Sequence, residues 1–268
     1  REKGYFITAK FDQLQRHVPY APIIHAFRGL VRQLLAEGDL RIASWKQKIL
    51  NAIAPNGKVI TDVLPELEWL IGKQPDVDPL SAVEAQNRFQ LVFRQFARVF
   101  MQRSHPLVLF LDDLQWADPA SLSLLQYILT DAKSNYLLVL LAYRHDVIGL
   151  THPFSRTIDE MKQAHVQVSD ISLSSLGEEE VLEWTADTLH VSHEQVRPLA
   201  KMLFNITAGN PFFLTQLLLS LYRDQHITFH HESGSWRWQL QHIERLTFDQ
   251  NIVTFMVQKI RDLHPDTQ

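Results

Sequence analysis

Asp112 and Asp113 are neighbouring carboxylates at the end of an apolar run, in the segment LVLFLDDLQWAD over residues 107–118. Two acids held at one point could serve a divalent cation and an attacking water. Five apolar residues leading straight into them read as a strand buried on both faces, as in a parallel sheet. Open α/β sheets place ligand sites at the C-terminal ends of their strands, which is where the pair would sit. Asp118 followed by Pro119 supplies an N-cap and a proline at the first helical position. The same residues also fit a buried strand that ends in a solvated Asp-Asp turn.

Strand, acidic pair and helix is the Walker B arrangement of P-loop ATPases, with the first acid serving magnesium and the second orienting or activating water. Arg144 closes a second apolar run, Tyr136 to Tyr143. If the two strands are neighbours, its guanidinium would face the same crevice and could read the terminal phosphate of a nucleotide. The alternative is an arginine paired to a nearby carboxylate. Gly209, Asn210 and Pro211 mark a helix N-terminus, which favours an anionic ligand if it faces a crevice and is otherwise only a helix start.

Other chemistries find less support. The sequence holds no G-x-x-x-x-G-K-[ST] phosphate loop and no G-x-S-x-G. Its thirteen histidines lack the carboxylate or cysteine set of a zinc site and read as surface residues. Asp76 and Asp78 lie in a proline-bounded loop without the glycine and glutamate of a calcium loop.

The elements that must hold these residues alternate. Gly4–Ala9 reads as a strand. Helices are expected after Pro19, over Leu40–Ile53, over Leu64–Ile71 and, longest, from Ser81 to Arg103. After the acidic-tipped strand come a helix from Pro119, the Tyr136–Tyr143 strand, a helix from Pro153 and an alternating strand over Val166–Leu173. Strands alternating with helices argue for a parallel α/β sheet. Beyond residue 173 the pattern is helical to about Asp224, with acids Glu178 to Glu180 in a first helical turn. A hairpin signal around Glu232–Gly234 and a final amphipathic helix over Phe248–Leu263 follow.

With 46% hydrophobic and 21% charged residues among 268, the chain is of ordinary globular composition. A net charge of -4 and the lack of a Lys/Arg stripe argue against nucleic acid or an anionic membrane as partners. No apolar run reaches the about 18–20 residues that span a bilayer. The absence of cysteine accords with a reducing cytosol, and a cytoplasmic placement is expected. The first residue is Arg1 and the end shows no domain boundary, so an internal piece of a longer polypeptide is expected.

FDQLQRHVPY over residues 11–20, LDDLQWAD over 111–118, Ala142-Tyr143-Arg144 and GNPFF over 209–213 occur in this order. Together they resemble the AAA-type ATPase module of the STAND class of signalling proteins, as found in bacterial multidomain sensor kinases and LuxR-type regulators. The resemblance implies an α/β P-loop fold with sheet order 5-1-4-3-2. Strand 1 and the Walker A loop would lie upstream of Arg1. Strand 2 would be Gly4–Ala9, strand 3 Leu107–Asp112, strand 4 Leu138–Tyr143 and strand 5 Val166–Leu173. It implies a truncated core over 1–173, a helical lid over 174–225, and a hairpin opening a winged-helix-like domain over 226–268. Asp112 would be linked to magnesium, Asp113 would orient water, Arg144 would sense the terminal phosphate, and Gly209, Asn210 and Pro211 would bind the nucleotide, with Pro211 near the adenine. The implied cofactors are ATP and Mg2+. The implied partners are kinase-like, helical-repeat and sensor domains of the same polypeptide, with self-association of the fragment also expected. The rival reading is a non-catalytic interaction scaffold within a multidomain kinase. A third is the ATPase part of a LuxR-type transcription regulator.

Overall fold

Three short strands frame the first of two compact units, Arg1–Ser169 and Asp170–Gln268. The computed structural model describes residues 4–15, 17–149, 152–240 and 243. Strands β1 (Tyr5–Lys10), β2 (Leu107–Asp112) and β3 (Leu137–Leu141) lie parallel in the order β1-β2-β3. Parallel neighbours need a crossover between them. The first crossover carries helices α1 (Ala21–Leu35), α2 (Asp39–Ile53), α3 (Lys58–Thr61), α4 (Glu68–Ile71) and α5 (Ala82–Arg98); the second carries α6 (Pro119–Leu129). Helix α7 (Pro153–Gln163) follows β3.

The helices start where local chemistry satisfies their first N–H groups. At α5, the Ser81 hydroxyl accepts from the Glu84 N–H while the Glu84 carboxylate accepts from the Ser81 N–H at 3.1 Å, a complete capping box. At α6, Asp118 accepts from the Ser121 N–H at 2.8 Å, with Pro119 in the first turn. The apolar stripe of α5 drives its burial. Phe93 and Phe96 lie 5.1 and 5.7 Å from the Phe27 ring of α1, and all three are essentially inaccessible. Helix α5 ends at Arg98 rather than at Arg103. Residues beyond it turn, with a Gln102–His105 bridge leading into β2.

The register decides what the sheet shows to each side. Phe6 lies beside Val108, which lies beside Leu138; Ile7 lies beside Leu109, which lies beside Val139. Strand side chains alternate between faces. Ile7, Ala9, Leu107, Leu109 and Leu111 are therefore buried on one side, while Phe6, Leu138 and Leu140 on the other are 55%, 54% and 42% exposed. The expectation that β2 is buried on both faces is thus corrected. Among the described residues, helices cover one face of the sheet and the other is left apolar and accessible.

A second correction concerns Val166–Leu173, expected as a strand. These residues have no strand structure, and Ile171 and Leu173 are almost fully exposed. Alternation provides two side-chain faces but not a ladder, and among the described residues no strand pairs with this segment. The expected single helix over 64–71 is also divided, into a 3-10 turn at Pro65–Leu67 and α4.

The second unit is built from α8 (Glu178–Leu189), α9 (His193–Thr207), α10 (Pro211–Arg223) and an antiparallel hairpin, β4 (Ile227–His230) with β5 (Ser235–Trp238). Val181, Val196, Leu199, Leu203 and Leu214 form its core. Asn210 caps α10, its side-chain oxygen accepting from the N–H groups of Phe212 and Phe213 at 3.0 and 3.3 Å. The expected helix over Phe248–Leu263 lies outside the described residues.

Candidate functional site

β2 delivers Asp112 to the C-terminal end of the sheet, and the chain turns sharply there. Asp113 takes a left-handed conformation, φ 56° and ψ 43°, which aspartate tolerates better than most residues. Its N–H donates to the Asp112 side chain at 2.9 Å. The Leu114 N–H donates to the Ala142 carbonyl at 3.1 Å, tying the turn to the chain just after β3. The two carboxylates are therefore fixed at one edge, partly open, with side-chain exposures of 36% and 26%.

Gln115 organises the interior side of this turn. It is 2% exposed. Its side-chain amide donates to Asp113 Oδ1 at 2.9 Å, and its carbonyl accepts the Arg144 N–H at 3.3 Å. The open side belongs to Lys10, which stands in register with Asp112 at the end of β1. Its Nζ lies 2.7 Å from Asp113 Oδ2 and 3.4 Å from Asp112 Oδ2. The hydrogen bond from Lys10, then that from Gln115, hold the Asp113 carboxyl below its ordinary value; burial opposes them more weakly, and the charges of Lys10 and then Arg144 add smaller effects in the lowering direction. The two acids in turn raise the Lys10 ammonium.

Arg144 thus reaches the edge where Asp112 and Asp113 sit, through its backbone. Its guanidinium is turned to Asp146, with a 3.0 Å contact to Oδ2. Gly209, Asn210 and Pro211 belong to the second unit, where they form the turn and N-terminus of α10. Gly209 has φ 71°, and its carbonyl accepts the Leu176 N–H at 2.9 Å.

Sequence reasoning passed over Lys10 and Gln115. Pairing the strand over residues 5–10 with that over 107–112, both of six residues, would have set Lys10 beside the acids. Gln115 carried no signal of its own, because an amide between a leucine and a tryptophan reads as a turn residue.

The acidic pair suits magnesium by its donor chemistry, since that ion is held by one or two carboxylates together with waters and phosphate oxygens. The pair already holds a cation, the Lys10 ammonium, against both carboxylates. Among the described residues no group of three His, Asp or Glu side chains could hold a metal ion by itself. A protein-only cage is therefore not what this edge provides.

A parallel α/β sheet with an acidic pair at the tip of its central strand accords with an AAA-type P-loop fold. The chain belongs to the AAA ATPase domain family, whose pattern matches residues 1–140, from β1 into β3. It is 28% identical to hybrid signal transduction histidine kinase G of Dictyostelium discoideum over 99% of its length, and 30% identical to peroxide stress-activated histidine kinase mak2 of Schizosaccharomyces pombe over 91%. Histidine kinase mak3 of the same yeast is 19% identical over 93% of the chain. The chain spans 9%, 11% and 12% of the lengths of these relatives, all of them eukaryotic. No solved structure matches it. Among the described residues no helix is long and apolar enough to cross a membrane.

Proposed function

We propose that this chain is part of an ATP-binding regulatory module of the STAND type within a multidomain signalling polypeptide, where nucleotide state sets the arrangement of neighbouring domains. The observation that carries the reading is the Asp112–Asp113 pair, fixed by the turn after the central strand of a parallel sheet in an AAA ATPase domain. The kinase names of long relatives, of which the chain covers about a tenth, support the signalling context.

In this reading Asp112 faces the magnesium ion that accompanies the nucleotide. When bound, that ion neutralises phosphate charge and polarises the phosphoryl group. Asp113 orients water. Its carboxyl stays ionised because Lys10 and Gln115 donate to it; Gln115 holds Oδ1 from the interior side, and Oδ2, on the open side, lies against the Lys10 ammonium. Arg144 follows β3 on the same edge. Its guanidinium, paired with exposed Asp146, can exchange that carboxylate for a terminal phosphate, as exposed ion pairs are weak. Gly209, Asn210 and Pro211 form the start of α10, whose positive dipole end suits an anionic or polar part of the nucleotide. The phosphate loop itself is assigned to polypeptide outside these 268 residues, since the sequence contains no Walker A pattern.

The test is ATP affinity, ADP affinity and turnover, measured on the longer polypeptide that includes a phosphate loop, for Asp112→Ala, Asp113→Asn and Arg144→Ala. Asp113→Asn should keep binding and lose about 10²–10⁴-fold in turnover. Asp112→Ala should weaken magnesium-dependent binding, and Arg144→Ala should narrow the preference for ATP over ADP. Unchanged hydrolysis by Asp113→Asn sinks the assignment.

A further inference from the structure

The register that sets Lys10 beside Asp112 has a consequence for how a metal ion could enter. The Lys10 ammonium touches one oxygen of each acid, at 2.7 and 3.4 Å, and so occupies the approach that a divalent cation would use. It also relieves the repulsion between two adjacent carboxylates. The side chain is 67% exposed, and the hydrogen bonds of its ammonium run to these two acids. A flexible four-carbon stem carries the charge, so it can leave without disturbing the strand. Arg144 does not fill the same place, because its guanidinium pairs with Asp146.

We propose that Lys10 is a built-in counter-ion that competes with the divalent cation for Asp112 and Asp113, so that metal entry requires the ammonium to swing off both carboxylates. The proposal rests on reading Asp112 as the magnesium-facing acid and Asp113 as its water-orienting neighbour. It adds a threshold to that site. A bare divalent ion meets a pair that is already half neutralised. An ion that arrives with phosphates brings extra negative charge, which offers the displaced ammonium a new partner and lowers the cost of moving it. The site would thereby favour the metal–nucleotide complex over free metal.

The experiment is Mn2+ binding, followed by the electron paramagnetic resonance signal of free Mn2+, on the 268-residue chain. Mn2+ takes the same oxygen ligands as Mg2+. Lys10→Met should bind Mn2+ about thirtyfold more tightly than the unchanged chain, the scale expected when a unit charge is removed ~4 Å from a dication in a well-solvated setting. Lys10→Arg should behave like the unchanged chain, and Asp112→Asn should cancel the gain in Lys10→Met. If Lys10→Met binds Mn2+ equally or more weakly while Asp112→Asn weakens binding, Lys10 is no competitor and the proposal fails, with the cation site intact. If neither Asp112→Asn nor Asp113→Asn alters Mn2+ binding in either background, the cation site itself is wrong, and the proposal falls with it.

Discussion

The buried side chain of Gln115 is bonded to Asp113: its amide donates to the Asp113 carboxylate at 2.9 Å, while its carbonyl takes the backbone N–H of Arg144. One amide therefore links the tip of β2 to the chain leaving β3. Gln115→Leu keeps the volume and removes both bonds, leaving the Arg144 N–H without that acceptor. The expected cost is about 1–3 kcal/mol, seen as a lower urea midpoint with an unchanged slope. A midpoint equal to that of the unchanged chain would mean that water replaces the amide at no cost.

Gly209 gives a prediction for the second unit. It sits at φ 71°, and a Cβ there would run into the backbone carbonyl of Leu176. Gly209→Ala therefore meets both a left-handed backbone penalty of about 1–2 kcal/mol and a clash with a rigid atom. Faster hydrogen exchange across α9 and α10, with exchange of β1–β3 unchanged, is the expected signature. A protein of unaltered stability would show that the turn can reshape.

Acid should weaken the first unit through Asp113. Its folded value is depressed, chiefly by Lys10, so its contribution is complete above the ordinary aspartate value of about 4 and is lost as pH falls through the lower folded value. Urea midpoints measured from about pH 5 downward should fall less steeply in Lys10→Met than in the unchanged chain. Parallel acid limbs would contradict the pairing in solution.

Alkali acts through Tyr5, whose hydroxyl donates to Glu37 at 2.9 Å. Burial, then this bond, push the phenol up from 10.0 to about 12. A raised folded value means the contribution is complete below pH 10 and is lost as pH rises through about 12. Tyr5→Phe should remove that part of the melting-temperature decline between these two values. An identical decline in the variant would place the alkaline transition elsewhere.

The bare face of the sheet should make the 268-residue chain self-associate. Phe6 and Leu138 are apolar and exposed on either side of Val108, and Leu140 lies two residues on from Leu138 on the same face. Size-exclusion chromatography over a range of concentrations should show a rising apparent mass, reduced in Leu138→Gln. A concentration-independent monomer would count against it.

Much of the organisation can be read along the chain, because it is locally encoded. Apolar runs marked the strands that became β2 and β3. Asp118-Pro119 and Asn210-Pro211 announced helix starts that the structure confirms through the bonds their side chains accept from backbone N–H groups. The phenylalanine stripe of α5 declared its buried face by 3.6-residue spacing. Other features depend on which segments meet, and no local pattern encodes that. Val166–Leu173 alternates like a strand, yet without a pairing partner it forms no ladder. β2 has an apolar residue at each of its first five positions, yet among the described residues the covering helices lie on one side. Lys10 is 102 residues from Asp112 and becomes its neighbour solely through parallel register. Gln115 joins two strand ends because tertiary packing buries it between them. Sequence patterns name the acids of this site; the long-range contacts, whose chain-ordering cost only a packed fold can offset, decide which cation and which amide they meet.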